Sequence, residues 1–207
     1  MAWHPERGLV DRYDGQGDLK RKLIRAVGDP KRRFNEDALR MLRAVRFACR
    51  LDFMIEPKTK QALAECAPLL DAVARERVGI ELEGILSTGH GGDAMLRYPE
   101  LVCAAVPELA SARGFDQRSV YHAFNVYEHI ARVLTVAGEL ALCDGVAPSS
   151  SLMWAAFLHD VSKPECFTVD HDGSGHFYGH PELAPRRRVS SWIAWRSRTI
   201  WCAMCAC

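Results

Sequence analysis

No run of about 18 consecutive apolar residues occurs in the 207-residue sequence, so no membrane-spanning helix is expected. The N-terminal stretch MAWHPERGLVDRYDG turns polar by its fourth residue and holds no secretory signal core. No internal repeat, low-complexity tract or convincing alternating strand is visible, which excludes solenoid, mucin-like and sheet-dominated architectures. The eight cysteines are scattered without a framework, so reduced thiols and a cytoplasmic location are expected. Net charge is nearly absent at +1, yet it is unevenly laid out. Residues 1–60 carry 15 Lys/Arg against 9 Asp/Glu, and residues 61–185 carry 7 against 17. A basic first quarter before an acidic middle suits contact with a polyanion, although a solvated helix face has the same composition.

What the sequence does have is helical period. Segments 18–27, 35–51, 57–70, 75–87, 92–98, 100–106, 120–142 and 151–161 all read as helices, and Thr168–Tyr178 reads as a hairpin turning on Asp-Gly. The fold class expected is all-α, with a seam near 110–120, where the histidines begin. The densest chemistry lies in RRFNEDALRMLRAVRFACRL. Asn35 suits an N-cap, with Glu36 and Asp37 in the first turn. Ala38, Met41, Leu42, Val45, Ala48 and Cys49 fall on one face and Arg40, Arg43, Arg46 and Arg50 on the other. Asp37 and Arg40, three apart, can set an acceptor beside a donor. Such an edge fits cytosine and adenine, which pair an amino donor with a ring-nitrogen acceptor, and rejects guanine and uracil, which present the reverse. A local surface ion pair is the plainer alternative.

Downstream, His129 precedes the dyad His159-Asp160, which follows the apolar run Leu152–Leu158. Imidazoles and a carboxylate in this order can hold a divalent ion that activates water against a phosphoester. His176 and His180 are further candidate ligands or phosphate contacts, and a structural role without metal is the plainer alternative.

These stretches resemble one family. PERGLVDRYDGQGDLKRKLIRAVGDPKRRF, NEDALRMLRAVRFACRLDFMIEP, RERVGIELEGIL, VPELA, GFDQ, YHAFNVYEH, FLHDVSKPECFT and GHFYGHPE are similar, in order from about residue 3 to 184, to bacterial class II CCA-adding tRNA nucleotidyltransferases and poly(A) polymerases with a C-terminal HD domain. The resemblance implies that Glu36, Asp37 and Arg40 select the nucleobase, with Arg43 and Arg46 beside them. It implies that Arg77 and Glu81 support that helix and that Asp11 and Asp18 belong to the element coupling head and neck. It implies an HD metal site at His129, His159 and Asp160, for Ni²⁺, Mn²⁺ or Mg²⁺. Implied domains are the end of a head and a linker at 1–30, a neck and body at 31–115, and a partial HD domain at 116–184. The atypical Trp- and Cys-containing tail at 185–207 reads as an out-of-frame or misassembled end.

The implied function is tRNA 3′-end processing, with the tRNA 3′ end, CTP and ATP as partners and Mg²⁺ as cofactor. The family's Gly-Ser loop and D-x-D carboxylates do not stand ahead of Met1-Ala2, which resembles the end of the head. This chain alone is therefore expected to be inactive in nucleotidyl transfer. The HD site also lacks a candidate for its last Asp ligand, because residues 186–207 hold no acid, so phosphohydrolase activity, the alternative function, is expected to be impaired. A folded, inactive fragment offering only an interaction surface is the third reading.

Overall fold

Local capping chemistry decides where the chain turns helical. In the structure, a computed structural model, residues 1–115, 124–143, 145–171 and 175–177 are described. The Asp29 carboxylate accepts the Arg32 N–H at 2.7 Å and Pro30 fills the first helical position. Helix α2 therefore starts there and spans Pro30–Glu36. It stops at Asp37, whose backbone is extended (φ −157°, ψ 103°), and α3 begins anew over Leu39–Leu51. The single helix expected at 35–51 is thus two helices. Asn35 is inside α2 rather than at an N-cap, and Glu36 closes that helix instead of opening the next. The competing element is the Asp37 side chain, which accepts the Leu39 N–H at 3.1 Å and caps the second helix itself.

The segment 18–27 also departs from expectation. Helix α1 covers Gly15–Lys20, and after it the chain turns through Lys22 at positive φ. Strand β3, Leu23–Ile24, follows and pairs in parallel with β4, Met54–Ile55. Short strands also form a hairpin from β1 (Ala2–His4) and β2 (Gly8–Val10). The expected hairpin near 168–178 is present, as β5 (Phe167–Val169) against β6 (Gly175–Phe177). Among the described residues the sheets are all two-stranded, so the mostly helical class holds.

The remaining helices follow expectation, except that the one expected over 120–142 begins only at Val126, where the Asn125 side chain accepts the Glu128 N–H at 2.9 Å and caps it. They are α4 (Pro57–Cys66), α5 (Arg75–Leu86), α6 (Gly91–Arg97), α7 (Pro99–Ala105), α8 (Val126–Cys143) and α9 (Ser150–Leu158). Helix α4 tightens into a 3-10 turn over Ala67–Ala72 at Pro68, which has no N–H to continue the helical ladder.

The face expected to be apolar on α3 is buried at Met41, Leu42, Val45 and Ala48 and half-buried at Ala38 and Cys49; it shares one core with Val78, Leu82 and Ile85 of α5. That core runs on without a break through α6 and α7 into α8 and α9. The buried Tyr127 hydroxyl of α8 donates to the Met95 carbonyl of α6 at 2.9 Å. Gly92 lets the two helices close: a Cβ there would fall 2.1 Å from the Ala131 carbonyl oxygen. The second half of the expected seam, residues 116–120, lies outside the described residues, as do His180 and the tail at 185–207. No helix among the described residues is long and apolar enough to cross a membrane.

Candidate nucleotide pocket and metal cluster

The break between α2 and α3 shapes a cavity of about 330 Å³. Its floor is apolar, from Ile24, Phe34, Ala44 and Phe47, and four guanidinium-bearing residues line it: Arg25, Arg33, Arg40 and Arg43. Glu36 is the electrostatic hub. Its Oε2 accepts Arg40 Nη1 at 2.8 Å and Arg33 Nη1 at 2.5 Å. The bond from Arg40, followed by the charge of the neighbouring arginines, holds the Glu36 carboxyl below the usual range. Arg40 also donates to the Arg33 carbonyl at 3.1 Å.

The heads of Asp37 and Arg40 are not paired: the Asp37 carboxylate is turned to Leu39 N–H and the Arg40 guanidinium to Glu36. The reason is the extended backbone at Asp37, which removes the helical three-residue spacing on which the pairing depends. What the fold brings together is Glu36, Arg40 and Arg43, joined by Arg25 and Arg33. Arg33 stands seven residues before Arg40, so helical spacing could have indicated it. Arg25 arrives only through the β3–β4 pairing and carried no local signal.

The arginine stripe divides by role. Arg43 and Arg50 are exposed, whereas Arg46 leaves the stripe for α5. Its Nε lies 3.0 Å from Oε2 of buried Glu81, a charge contact whose angle falls short of a hydrogen bond. Gly84 makes room for it, since a Cβ there would sit 2.5 Å from Arg46 Cδ. Glu81 thus touches the α3 helix from behind, while Arg77 is exposed and has no ion-pair partner among the described residues. Asp11 accepts the Gly15 and Gln16 N–H groups, both at 2.8 Å, and these bonds hold its carboxyl low. Asp18, buried, accepts Arg21 and Arg25 at 2.8 Å each, and so fixes one of the cavity's four arginines.

The second constellation does assemble. His129 of α8, His159 at the end of α9 and the adjacent Asp160 place ligand atoms within 4.8 Å of one another. His129 Nε2 and His159 Nε2 lie 3.3 and 3.2 Å from Asp160 Oδ2. His159 Nδ1 stands 2.9 Å from the Ala156 carbonyl, which orients the ring so that Nε2 faces the cluster. Two imidazoles and one carboxylate converging in this way fit a divalent transition ion.

Lys163 completes the group, with Nζ 2.7 Å from the same Oδ2. Burial alone would raise the Asp160 carboxyl, but hydrogen bonds from His159 and Lys163 outweigh it and hold it far below its usual range. Burial likewise opposes the charged form of His159, and Asp160 reverses that, leaving its imidazole raised. His176 does not join the cluster; it pairs with Asp170 at 2.9 Å.

Residues 52–112 match the family described as "Probable RNA and SrmB-binding site of polymerase A". A CCA-adding enzyme of Limosilactobacillus fermentum is 56% identical over 86 residues, 42% of this chain and 22% of that protein. One of Bacillus licheniformis is 36% identical over 163 residues, 78% of this chain and 36% of that protein. An A-adding tRNA nucleotidyltransferase of Deinococcus radiodurans is 36% identical over 195 residues, 88% of this chain and 42% of that protein. The chain therefore spans 22% to 42% of the length of these curated relatives. Residues 52–112 and these relatives together show that the chain is similar, over part of their length, to CCA-adding enzymes and A-adding tRNA nucleotidyltransferases.

Proposed function

We propose that this chain is the base-selecting and RNA-holding part of a tRNA nucleotidyltransferase, and that the cavity between α2 and α3 receives the incoming CTP or ATP. The observation that carries the reading is the composition of that cavity: an apolar floor with Phe34 and Phe47, ringed by Arg25, Arg33, Arg40 and Arg43. Aromatic and aliphatic surface suits a planar base, and guanidinium groups suit phosphates and base edges. Glu36 supplies an acceptor beside Arg40, and Glu81 steadies α3 through Arg46. The exposed Arg43 and Arg50 are proposed to meet the tRNA 3′ end. Nucleotidyl transfer itself is proposed for the complete enzyme, in the cytoplasm and with Mg²⁺ supplied at its own carboxylates.

Equilibrium binding of the four ribonucleoside triphosphates to the chain tests this. CTP and ATP should bind and GTP and UTP should not. Arg40→Ala should weaken both favoured nucleotides together by about 5- to 150-fold, the span of ~1–3 kcal/mol for a lost charged base-edge bond. Equal binding of all four nucleotides by the parent chain, or unchanged affinity in the variant, would refute the reading. A second reading, metal-dependent phosphohydrolysis, is favoured by the convergence of His129, His159 and Asp160. In it these residues hold the divalent ion, which would supply an activated water, and they orient one another through Asp160. Turnover of a 2′,3′-cyclic nucleotide with Ni²⁺ or Mn²⁺ that disappears in His159→Ala would place this activity in the chain.

A further inference from the structure

The metal cluster contains one group too many for a simple ligand set. Asp160 Oδ2 is approached by three nitrogens: Lys163 Nζ at 2.7 Å, His159 Nε2 at 3.2 Å and His129 Nε2 at 3.3 Å. The lysine is the nearest of the three, and both members of its ion pair are buried, with side chains 10% and 5% exposed.

Its position is fixed from two sides. The Lys163 N–H closes a turn onto the Asp160 carbonyl at 3.0 Å, at the start of the 3-10 turn Lys163–Glu165. The ammonium also lies 5.4 Å from the centre of the Phe177 ring. That ring is itself packed against Phe167 at 5.4 Å and Phe115 at 6.4 Å. Swinging the ammonium out to water would give up the carboxylate, the ring face and a buried seat together.

A divalent ion held by Asp160 Oδ2 would stand about 2 Å from that oxygen. The ammonium, only 2.7 Å from the same atom, would then be a second cation within about 5 Å of the ion, in a site with little water to screen the two. Occupancy by the ion and the present position of Lys163 therefore oppose each other.

We propose that Lys163 is a built-in counter-cation that competes with the divalent ion for Asp160, so that the cluster is charge-satisfied without metal and takes it up only by displacing the lysine. This inference rests on the α8–α9 cluster alone and is independent of the nucleotide cavity. It also assigns a role to the hairpin β5–β6: by placing Phe177 under the ammonium, it sets how hard the lysine is to displace. Lys163 is on this account a positioning residue, and neutralising it should reveal a tighter metal site.

The test is calorimetric titration of the full chain with Ni²⁺, comparing the parent with Lys163→Met, Lys163→Arg and His159→Ala. Lys163→Met should bind Ni²⁺ at least about tenfold more tightly, since removing a like charge at this range outweighs a single factor of ten. Lys163→Arg keeps the charge and should stay at the parent affinity, and His159→Ala should lose binding. In thermal melts Ni²⁺ should stabilise Lys163→Met more than it stabilises the parent. A second measurement needs no variant: amine-reactive labelling of Lys163, read by mass spectrometry, should increase when the parent is saturated with Ni²⁺. Equal or weaker Ni²⁺ affinity in folded Lys163→Met overturns the proposal. So does an absence of uptake in both proteins, or labelling of Lys163 that saturation leaves unchanged. If Lys163→Met does not fold, the labelling result on the parent decides alone.

Discussion

Replacing Gly92 with alanine measures how firmly α8 is seated on α6. An alanine within a helix ordinarily stabilises it by about 1 kcal/mol relative to glycine. Here the added Cβ would lie 2.1 Å from the Ala131 carbonyl oxygen, 2.2 Å from Thr135 Oγ1 and 3.0 Å from the Thr135 nitrogen. Carbon and oxygen approach comfortably only to about 3.3 Å, so α8 must retreat by about 1 Å along its line of closest approach. Two of the three obstructing atoms are backbone, which cannot rotate away. The retreat loosens Ile130, Ala131 and Leu134 from the shared core, all of them fully buried. Overpacking of this kind costs about 3 kcal/mol, and subtracting the helix gain leaves a net loss of about 2 kcal/mol. For a chain of this size that lowers the melting temperature by about 4–8 °C. The assay is thermal and urea unfolding of Gly92→Ala beside the parent, with amide exchange read along 126–143. A variant as stable as the parent, or more so, would refute the close-approach argument, because propensity alone would then be in control.

Two further expectations concern charge. Asp18→Asn should destabilise the chain at neutral pH, by freeing Arg21 and Arg25 from the carboxylate that holds them. The Arg21 hydrogen bond, then Arg25, depresses the folded-state pKa of Asp18, so its contribution is full above the unfolded value near 3.9. It is lost as pH falls from there through the lower folded value, and urea midpoints of parent and variant should converge over that interval; a gap that does not change with pH would contradict the assignment. Reversing the exposed Arg43 and Arg50 to Glu should weaken tRNA binding and flatten its dependence on salt, by about one unit of log–log slope for each phosphate no longer neutralised. Identical salt slopes in parent and variant would show that these side chains only face solvent.

The helical plan was legible because apolar period was strong: α5, α6, α7 and α9 lie within a few residues of their expected bounds. The buried face of α3 was legible for the same reason. The break at Asp37 was not, because the period carries across it. The local signal for it was present, in an Asp-Pro pair at Asp29-Pro30 that opens a helix and a second Asp eight residues on that caps the next. Strands β3 and β4 are two residues each, too short to alternate, and they exist only through one another. Of the candidate sites, the His129–His159–Asp160 grouping could be read from His and His-Asp on successive helices. Lys163 could be placed beside Asp160 only once the turn after α9 was seen, and Arg46 left the expected stripe because its partner, Glu81, lies 35 positions away on another helix.

The pairing of β3 with β4 also governs when the arginine-lined cavity comes into being. Leu23 and Ile24 meet Met54 and Ile55, about thirty residues ahead, and the Ala26 N–H reaches Thr59 Oγ1 at 3.1 Å. These contacts bring Ile24 and Arg25 to the cavity wall. Helices α4 to α7 need only near neighbours to form, whereas this ladder must first close a loop around both α2 and α3. During refolding, far-ultraviolet ellipticity should recover ahead of nucleotide affinity. The proposed binding site is thus the late-arriving part of a fold whose helices are early, and a chain caught between the two stages is helical but lacks the finished cavity.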